Sequence, residues 1–447
     1  MIGDHFFMKT NNNQQSAYKI QNIEHSFTGT QLTNYAGVSP IMKYLNRLKL
    51  GEKLNDFFPT LMYNASKFST VQIMLAVVLA SFAGIKRLQR IAYFSRDVLV
   101  MALLNLKTGL NKDVISTRLK QLGQAGAFKL QEMLFPLATK WLSKSQLQSI
   151  SLDADSTVKT VYGHQQGAEK GYNPHKPGAK SYHPLLAFVS ELKLVVNSWF
   201  RTGSAYTANG ICEFIKQIKA ILPPTISHVF FRGDSGFFNG ELFDLLETYQ
   251  WTYLVKVKLK NLKQLLNGQQ WIILDSNPEL AYCEFSYQGA NWKKKRTLKA
   301  LRLVTEWVEA EFMGQKQQVP KYEYICYCSN LAGDVLSWHK RYCQRATSEN
   351  WVEQVKNQLL AGATTTDNFF ANDILWQLSV LAYNLSVMMR YRVKKLWRQE
   401  HATFRDWFIN IPAKLLHAGR QFKLKIYEHY YDKEKWLKFD QELSLAY

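Results

Sequence analysis

Residues 341–359, RYCQRATSENWVEQVKNQL, place four chemically different side chains at helical spacing. These side chains are Tyr342, Arg345, Glu349 and Lys356, in the pattern Y-x2-R-x3-E-x6-K. Separations of three, four and seven residues keep to one face of an α-helix, so we predict a single helical stripe. A carboxylate flanked by two cations and a phenol can hold a divalent metal and grip a phosphate, which indicates DNA chemistry.

Two further stretches bring acidic residues to the ends of predicted strands. In SLDADSTV, residues 151–158, Asp153 and Asp155 share one strand face because side chains alternate along a strand. In SHVFFRGDSGF, residues 227–237, an apolar run ends at Asp234, with glycines on either side. Carboxylates that converge from two strands and a helix would make a site for Mg²⁺, a cation that prefers oxygen ligands.

The sequence pattern changes several times along the chain. Helical periodicity runs to about residue 148, and strands and helices then alternate as in an α/β domain. Strands multiply before the signature stretch, and the last part of the chain is basic, aromatic and helical in period. We predict a polar lead-in at 1–40, a helical DNA-binding domain at 41–148, the first part of an α/β core at 149–257, a β-rich insertion at 258–330, the second part of the core with the signature helix at 331–390, and a basic helical C-terminal region at 391–447.

Composition bounds the class of protein and its partners. Lysine and arginine number 56 against 35 aspartates and glutamates, which gives a net charge of +21. So large an excess predicts a polyanionic partner, with nucleic acid first and an anionic membrane surface second. The five cysteines form no C-x-x-C pair and are expected to be reduced thiols. The N-terminus has no signal pattern, and the most apolar run, residues 71–85, is too short to span a bilayer. We therefore expect a soluble, intracellular protein.

Several other polar residues have two interpretations. His164, His175 and His183 crowd a loop rich in glycine and proline, where we expect phosphate contact or solvation rather than metal ligation. Arg201 follows a predicted strand and is expected either to reach DNA or to lie on the surface. Glu353 is one turn beyond the signature glutamate and is expected to form a salt bridge within the helix rather than to bind a metal.

The signature and four further motifs resemble the DDE transposases of bacterial insertion sequences, in the branch defined by Y-x2-R-x3-E-x6-K. All four signature residues match, and the matches together cover about residues 145–390. The further motifs are D-S-T at 155–157, S-Y-H-P-L-L at 181–186, G-D-S-G-F at 233–237, and F-F-A-N-D-I-L with L-A-Y-N-L between 369 and 385.

The resemblance implies a fold and a metal site. The fold would be an α/β catalytic core of ribonuclease-H-like type with a β-rich insertion, preceded by a helical N-terminal domain and followed by a helical C-terminal region. Carried over by motif, Asp155, Asp234 and Glu349 would be the catalytic and metal-binding triad, with Mg²⁺ as cofactor and Mn²⁺ able to substitute. Asp153 remains an alternative first ligand, although Asp155 begins the D-S-T motif.

The resemblance also implies a reaction and its partners. Tyr342, Arg345 and Lys356 would contact the transposon end near the cleavage site. The reaction would be cut-and-paste transposition, with hydrolysis at the element ends, excision through a hairpin on the element end, and transfer of the 3′-OH ends into target DNA. A homodimer on double-stranded DNA would hold two ends together, in the cytoplasm of a bacterium, associated with the nucleoid and without a membrane partner.

Two alternatives stay open at this point. A metal-dependent nuclease without strand transfer would need only the three acids, although the complete signature argues against it. A DNA-binding protein derived from a transposase would need no catalysis, although the intact Asp155, Asp234 and Glu349 argue against that interpretation.

Overall fold

The structure is a computed structural model that describes most of the chain. Residues 1–24, which hold more than half of the predicted polar lead-in, and His175 lie outside the described residues. Within the described residues, no helix is both long enough and apolar enough to cross a membrane. The described residues are 25–29, 31–58, 67–174, 176–312, 314–363, 366–393, 396–419 and 421–445.

In the described part of the segment whose periodicity is helical, the structure contains six helices. The first begins at Val38, three residues before the predicted boundary. The third starts with a capping box, in which Ser69 accepts from the backbone of Gln72 while the Gln72 side chain accepts from Ser69. The sixth breaks at Gly123, whose φ of +56° leaves the helical region. These helices are α1 Val38–Arg47, α2 Leu50–Phe57, α3 Thr70–Phe82, α4 Leu88–Phe94, α5 Val98–Leu103 and α6 Lys112–Ser145.

Among the described residues after α6, a nine-stranded mixed sheet forms the centre, which confirms the predicted α/β class. Its strand order is β10-β11-β12-β13-β9-β8-β2-β6-β7, with β2, β8 and β9 parallel and the other neighbours antiparallel. The strands up to β9 are β1 Leu32–Thr33, β2 Ser149–Ser156, β3 Lys159–Thr160, β4 Glu169–Lys170, β5 Lys180–Tyr182, β6 Leu185–Val189, β7 Leu194–Trp199, β8 His228–Gly233 and β9 Thr252–Lys256. The later strands are β10 Ile272–Leu274, β11 Asn277–Tyr287, β12 Arg296–Phe312, β13 Gln315–Ser329, β14 Ala413–Ala418 and β15 Gln421–Ile426.

The helices after α6 cover the sheet and close the chain. The longest of them, α12, is buried from Ala371 to Arg390 and packs against α3, α6 and β7. Asn384 on this helix pairs with both backbone groups of Val195 on β7, at 2.9 and 2.8 Å. The helix therefore joins the helical N-terminal part to the sheet. These helices are α7 Ile211–Ile221, α8 Gly240–Thr248, α9 Leu262–Asn267, α10 Val335–Cys343, α11 Thr347–Glu353, α12 Phe369–Arg392, α13 His401–Phe408 and α14 Lys433–Ser444.

The β-rich segment predicted at 258–330 continues the main sheet. It begins with α9, and its last strand, β13, pairs antiparallel with β9. Beyond the sheet, β12 and β13 stay paired to their ends, Phe312 opposite Gln315, as a two-stranded arm.

The helical prediction for 391–447 is wrong in part. Residues 413–418 and 421–426 form two antiparallel strands, β14 and β15, and β14 also pairs with β1. The stretch QFKLKI in β15 alternates polar and apolar residues, which is a strand period, and Gly419 has the φ of +63° that suits a tight turn. The alternation and the glycine were the signals that the helical interpretation missed.

Candidate active site

Two of the predicted acids meet at one edge of the sheet. Strands β2 and β8 are adjacent and parallel, and their register pairs Ala154 with Gly233. The residue that follows each of these two positions is an acid: Asp155 is the next residue on β2, and Asp234 lies just beyond β8. Asp234 also accepts a hydrogen bond from the backbone nitrogen of Gly236 at 2.8 Å, which fixes the turn after β8. The carboxyl ends of neighbouring parallel strands are the usual position of ligand sites in α/β sheets.

The signature stretch is helical, but it is not the single α-helix that its spacing predicts. It passes through α10, a 3₁₀ turn at Gln344–Ala346, α11 and a π-helical turn at Gln354–Gln358. A 3₁₀ turn is tighter than an α-helix and a π turn is wider, so the four side chains depart from one straight stripe. Glu349 lies in the first turn of α11 and is exposed.

Arg345 faces the acids and not the solvent. Its Nη2 lies 3.0 Å from Asp155 Oδ1 and donates to the carbonyl oxygen of Ala154 at 3.1 Å. Only 7% of the Arg345 side chain and 15% of the Asp155 side chain are exposed. Among the described residues, its buried Nε has no hydrogen-bond partner. In this structure the signature arginine is therefore an inward ion-pair partner of the first acid.

The three predicted acids act on one another electrostatically. Burial raises the pKa of Asp155 to about 6; Arg345 opposes this rise, and the nearby charges of Asp234 and Glu349 add to it. Burial also raises the pKa of Tyr342 to about 12, and the same three carboxylates contribute to that shift. The charges of the predicted triad therefore act on one another and on the signature tyrosine.

The signature lysine bonds to the segment that directly follows β2. Lys356 Nζ donates to the carbonyl oxygen of Val158 at 2.8 Å, and burial lowers its pKa. Next to it, Lys159 is buried and donates to the carbonyl oxygen of Ala363 at 2.7 Å. Burial and the charge of Lys356 lower the pKa of Lys159 to about 7. Sequence reasoning missed Lys159, because its burial depends on a contact with a residue more than two hundred positions away in the chain.

Asp153 has a different environment from Asp155. It is fully buried and forms a two-point pair with Arg232 on β8, Nε to Oδ1 at 2.6 Å and Nη2 to Oδ2 at 2.8 Å. The Ser190 hydroxyl also donates to Asp153. Arg232 in turn donates to the carbonyl oxygen of Arg341 at 2.9 Å, which links β2 and β8 to the end of α10. Both oxygens of Asp153 are therefore engaged in structural contacts.

Arg201 and His183 are buried, which contradicts their predicted exposure. Arg201 donates from Nε to the carbonyl oxygen of His183 at 2.9 Å and from Nη1 to three carbonyl oxygens of residues 206–209. His183 Nδ1 lies 2.5 Å from the carbonyl oxygen of Ala205. Thr207, in the loop that they hold, bonds through its hydroxyl to Ser156 at 3.0 Å. These two residues position the loop beside Asp155.

The carboxylates at this end of the strands are suitable ligands for a divalent metal, but they are too far apart to form a complete metal site. Asp155, Asp234 and Glu349 offer the carboxylate oxygens that hard cations prefer, and their mutual repulsion is of the kind that a cation relieves. Among the described residues, however, no three acidic, histidine or cysteine side chains are grouped closely enough to hold a metal ion. A metal would therefore have to draw these carboxylates together.

Comparison with known proteins identifies the class of enzyme. A family model described as "Transposase DDE domain group 1" matches residues 15–446. The chain belongs to this family, which confirms the prediction of a DDE transposase, a class of enzymes that use divalent metals. A comparison with curated proteins finds no match.

Several solved transposase structures are similar in part. The cryo-EM structure of a piggyBac transposase synaptic complex with hairpin DNA is 12% identical, with 82% of this chain and 78% of that chain covered and a TM-score of 0.47. The crystal structure of the Mos1 mariner paired-end complex with Mn is 13% identical, with 49% of this chain and 77% of that chain covered and a TM-score of 0.18.

Proposed function

We propose that this transposase cuts DNA at the ends of its element and transfers the freed 3′-OH ends into target DNA, by a cut-and-paste route with a hairpin on the element end. The observation that carries the proposal is the meeting of Asp155 and Asp234 at the ends of adjacent parallel strands, within the electrostatic reach of Glu349. The three acids come from two neighbouring strands and a helix, and their charges interact.

Asp155, Asp234 and Glu349 would hold the metal, with Mg²⁺ as the natural cofactor and Mn²⁺ as a substitute. Two such ions activate the attacking oxygen and stabilise the leaving oxygen of an in-line displacement at phosphorus. The chain's own contribution is to orient the carboxylates. Arg345 holds Asp155 through its ion pair, and the backbone nitrogen of Gly236 holds Asp234.

The remaining signature residues border the acids, which supports a place beside the scissile phosphate. Tyr342 packs against Tyr327 in a tilted arrangement, with ring centroids 4.9 Å apart, and is only partly buried. Arg345 bonds to Ala154 on β2, and Lys356 bonds to Val158, two residues beyond that strand. We propose that both organise this part of the chain and that Tyr342, Arg345 and Lys356 contact the transposon end.

The finer classification is part of the same proposal. The parallel and antiparallel strands around β2 support a ribonuclease-H-like core made from residues 149–257 and 331–390. The complete signature supports the Y-x2-R-x3-E-x6-K branch and an origin in a bacterial insertion sequence, with the protein in the cytoplasm at the nucleoid. Because two element ends must be held at once, the active form would be a homodimer on double-stranded DNA.

The test is cleavage, in Mg²⁺, of a duplex that carries the inverted repeat flanking the coding sequence. A second duplex serves as the target DNA. The wild type is expected to cut and join, and Glu349→Gln to bind without cutting. Glu353→Gln is the matched control, because Glu353 lies one turn further on, accepts from Gln358 at 2.8 Å and is exposed. If the wild type cut the duplex without joining it to the target, the protein would be a nuclease. If the wild type bound the duplex without cutting it, the protein would be a DNA-binding protein.

A further inference from the structure

An open pocket of about 710 Å³ lies on the helical N-terminal part of the chain. Its wall runs from the loop after α3 through α4 to the start of α5. Four of the side chains that line it are basic and one is acidic. We call it the N-terminal basic pocket; its charged residues are Lys86, Arg87, Arg90, Arg96 and Asp97.

The acid in this pocket does not balance the cations. Asp97 accepts from the Thr33 hydroxyl at 2.8 Å and from the backbone nitrogens of Leu99 and Val100, so it caps α5. Burial raises the pKa of Asp97, which marks it as a structural group.

The three arginines are exposed, and no salt bridge among the described residues neutralises their charge. Within the part of the chain that the structure describes, Arg87, Arg90 and Arg96 form no salt bridge and no hydrogen bond. Gly109 makes room for one of them, because a Cβ there would lie 2.2 Å from Arg96 Cγ. Guanidinium groups that share one pocket and form no salt bridge repel one another, and an anionic partner would relieve that repulsion.

The pocket is joined to the candidate active site by direct contacts. Lys86 Nζ donates to the carbonyl oxygen of Asn357, the residue after Lys356. On the other side, the Arg405 side chain lies under Gly84 and donates to the carbonyl oxygen of Gln358 at 3.3 Å. The segment that carries the basic residues of the pocket therefore lies next to the end of the signature stretch.

We infer that the N-terminal basic pocket binds the sugar–phosphate backbone of the element-end duplex, beside the segment that enters the active site. The inference rests on the proposed function and assigns one part of its DNA contact to named residues. Arginine and lysine form most contacts to phosphate, and such contacts fix the position of a duplex without reading its sequence. The pocket would therefore position the duplex.

The test is the salt dependence of duplex binding by the full-length chain. Each phosphate contact contributes about 0.9 to the slope of log K against log salt concentration, so the triple variant R87A/R90A/R96A should reduce that slope by about 2 to 3. The loss of affinity should be the same for an unrelated duplex of equal length. The variant R87K/R90K/R96K keeps the charge and should keep most of the slope.

A matched control removes three exposed lysines that are paired with acids elsewhere. These are Lys216, Lys316 and Lys321, whose partners are Glu213, Glu309 and Glu306. Their alanine variant should leave the slope unchanged. Circular dichroism and thermal unfolding establish that each variant is folded.

The outcomes separate this inference from the proposed function. If R87A/R90A/R96A has an unchanged slope while the wild type still binds and cuts, the inference that the pocket binds DNA is wrong and the transposition proposal stands. A fall in affinity with no fall in slope would mean a structural role and would also overturn it. If the wild type showed no salt-dependent duplex binding, both would fail.

Discussion

The Arg345 guanidinium lies 3.0 Å from the Asp155 carboxylate and also donates to the carbonyl oxygen of Ala154. A residue that the signature assigns to DNA contact is thus placed against the first acid. The ion pair opposes the rise that burial, Asp234 and Glu349 produce in the pKa of Asp155. Arg345 therefore helps to keep Asp155 ionised, the form in which a carboxylate binds a metal.

Removing this arginine should move the pH range in which metal binds. With the pKa of Asp155 at about 6, stabilisation by Mg²⁺ should appear in the wild type as the pH rises through 6. A neighbouring arginine lowers the pKa of an aspartate by about 1–3 units, so Arg345→Ala should shift that midpoint upward by a similar amount. The measurement is the Mg²⁺-induced change in melting temperature at several pH values. A midpoint that does not move in Arg345→Ala would contradict the role, and Arg345→Lys should move it less.

The two aspartates of β2 should differ in what their substitution costs. Asp153→Asn leaves Arg232 buried without its carboxylate, and breaking such a pair costs about 3–5 kcal/mol of unfolding free energy. Asp155→Asn should cost less, because the raised pKa of Asp155 means that its charge is unfavourable in the fold. Urea unfolding gives both values, and DNA cleavage should be abolished only in Asp155→Asn. Abolished cleavage in a stable Asp153→Asn variant would reverse the assignment.

Asp373 on α12 should make stability depend on pH. Burial raises its pKa to about 7, and its carboxylate accepts a hydrogen bond from the Gln377 amide at 3.0 Å. The folded state therefore binds the proton more tightly than the unfolded chain, and the stability it contributes is lost as the pH rises through 7. Asp373→Asn should raise the melting temperature relative to the wild type, and by more at pH 8 than at pH 5.

Asp367→Asn is the control for that prediction. Asp367 is exposed and paired with Lys120 at 2.7 Å, and the hydrogen bond from Lys120 lowers its pKa. A lowered pKa makes stability depend on pH in the opposite direction, because the stability it contributes is present above the pKa of the unfolded chain and is lost on acidification. A difference between Asp373→Asn and the wild type that is constant from pH 5 to pH 8 would disprove the account of Asp373.

The α/β class and the strands that end at the acids could be predicted from the sequence. Alternation in SLDADS and the apolar run before Asp234 indicate strands, and β2 and β8 are present there. Spacing could also place Tyr342, Arg345 and Glu349 near one another. The transposase family follows from the same motifs and is confirmed.

Other features depend on information that spacing does not contain. Asp153 and Asp155 lie on the same face of β2, so their spacing does not distinguish them. Only the register of β2 against β8 shows that Arg232 lies opposite Asp153. The inward direction of Arg345 depends on the 3₁₀ turn at Gln344–Ala346, which a residue pattern does not specify. The C-terminal strand pair was predictable in principle, because the alternation before Ile426 is visible in the sequence.

The most direct test of the central claim, that Asp155 and Asp234 are metal ligands for DNA cleavage, is metal rescue. A thiolate is a poor ligand for Mg²⁺ and a better one for softer ions, so Asp155→Cys and Asp234→Cys should bind the element-end duplex but not cut it in Mg²⁺. Cleavage should return in Mn²⁺, whereas the serine variants at the same positions should stay inactive in both metals. Full cleavage by the cysteine and serine variants in Mg²⁺ would contradict the account.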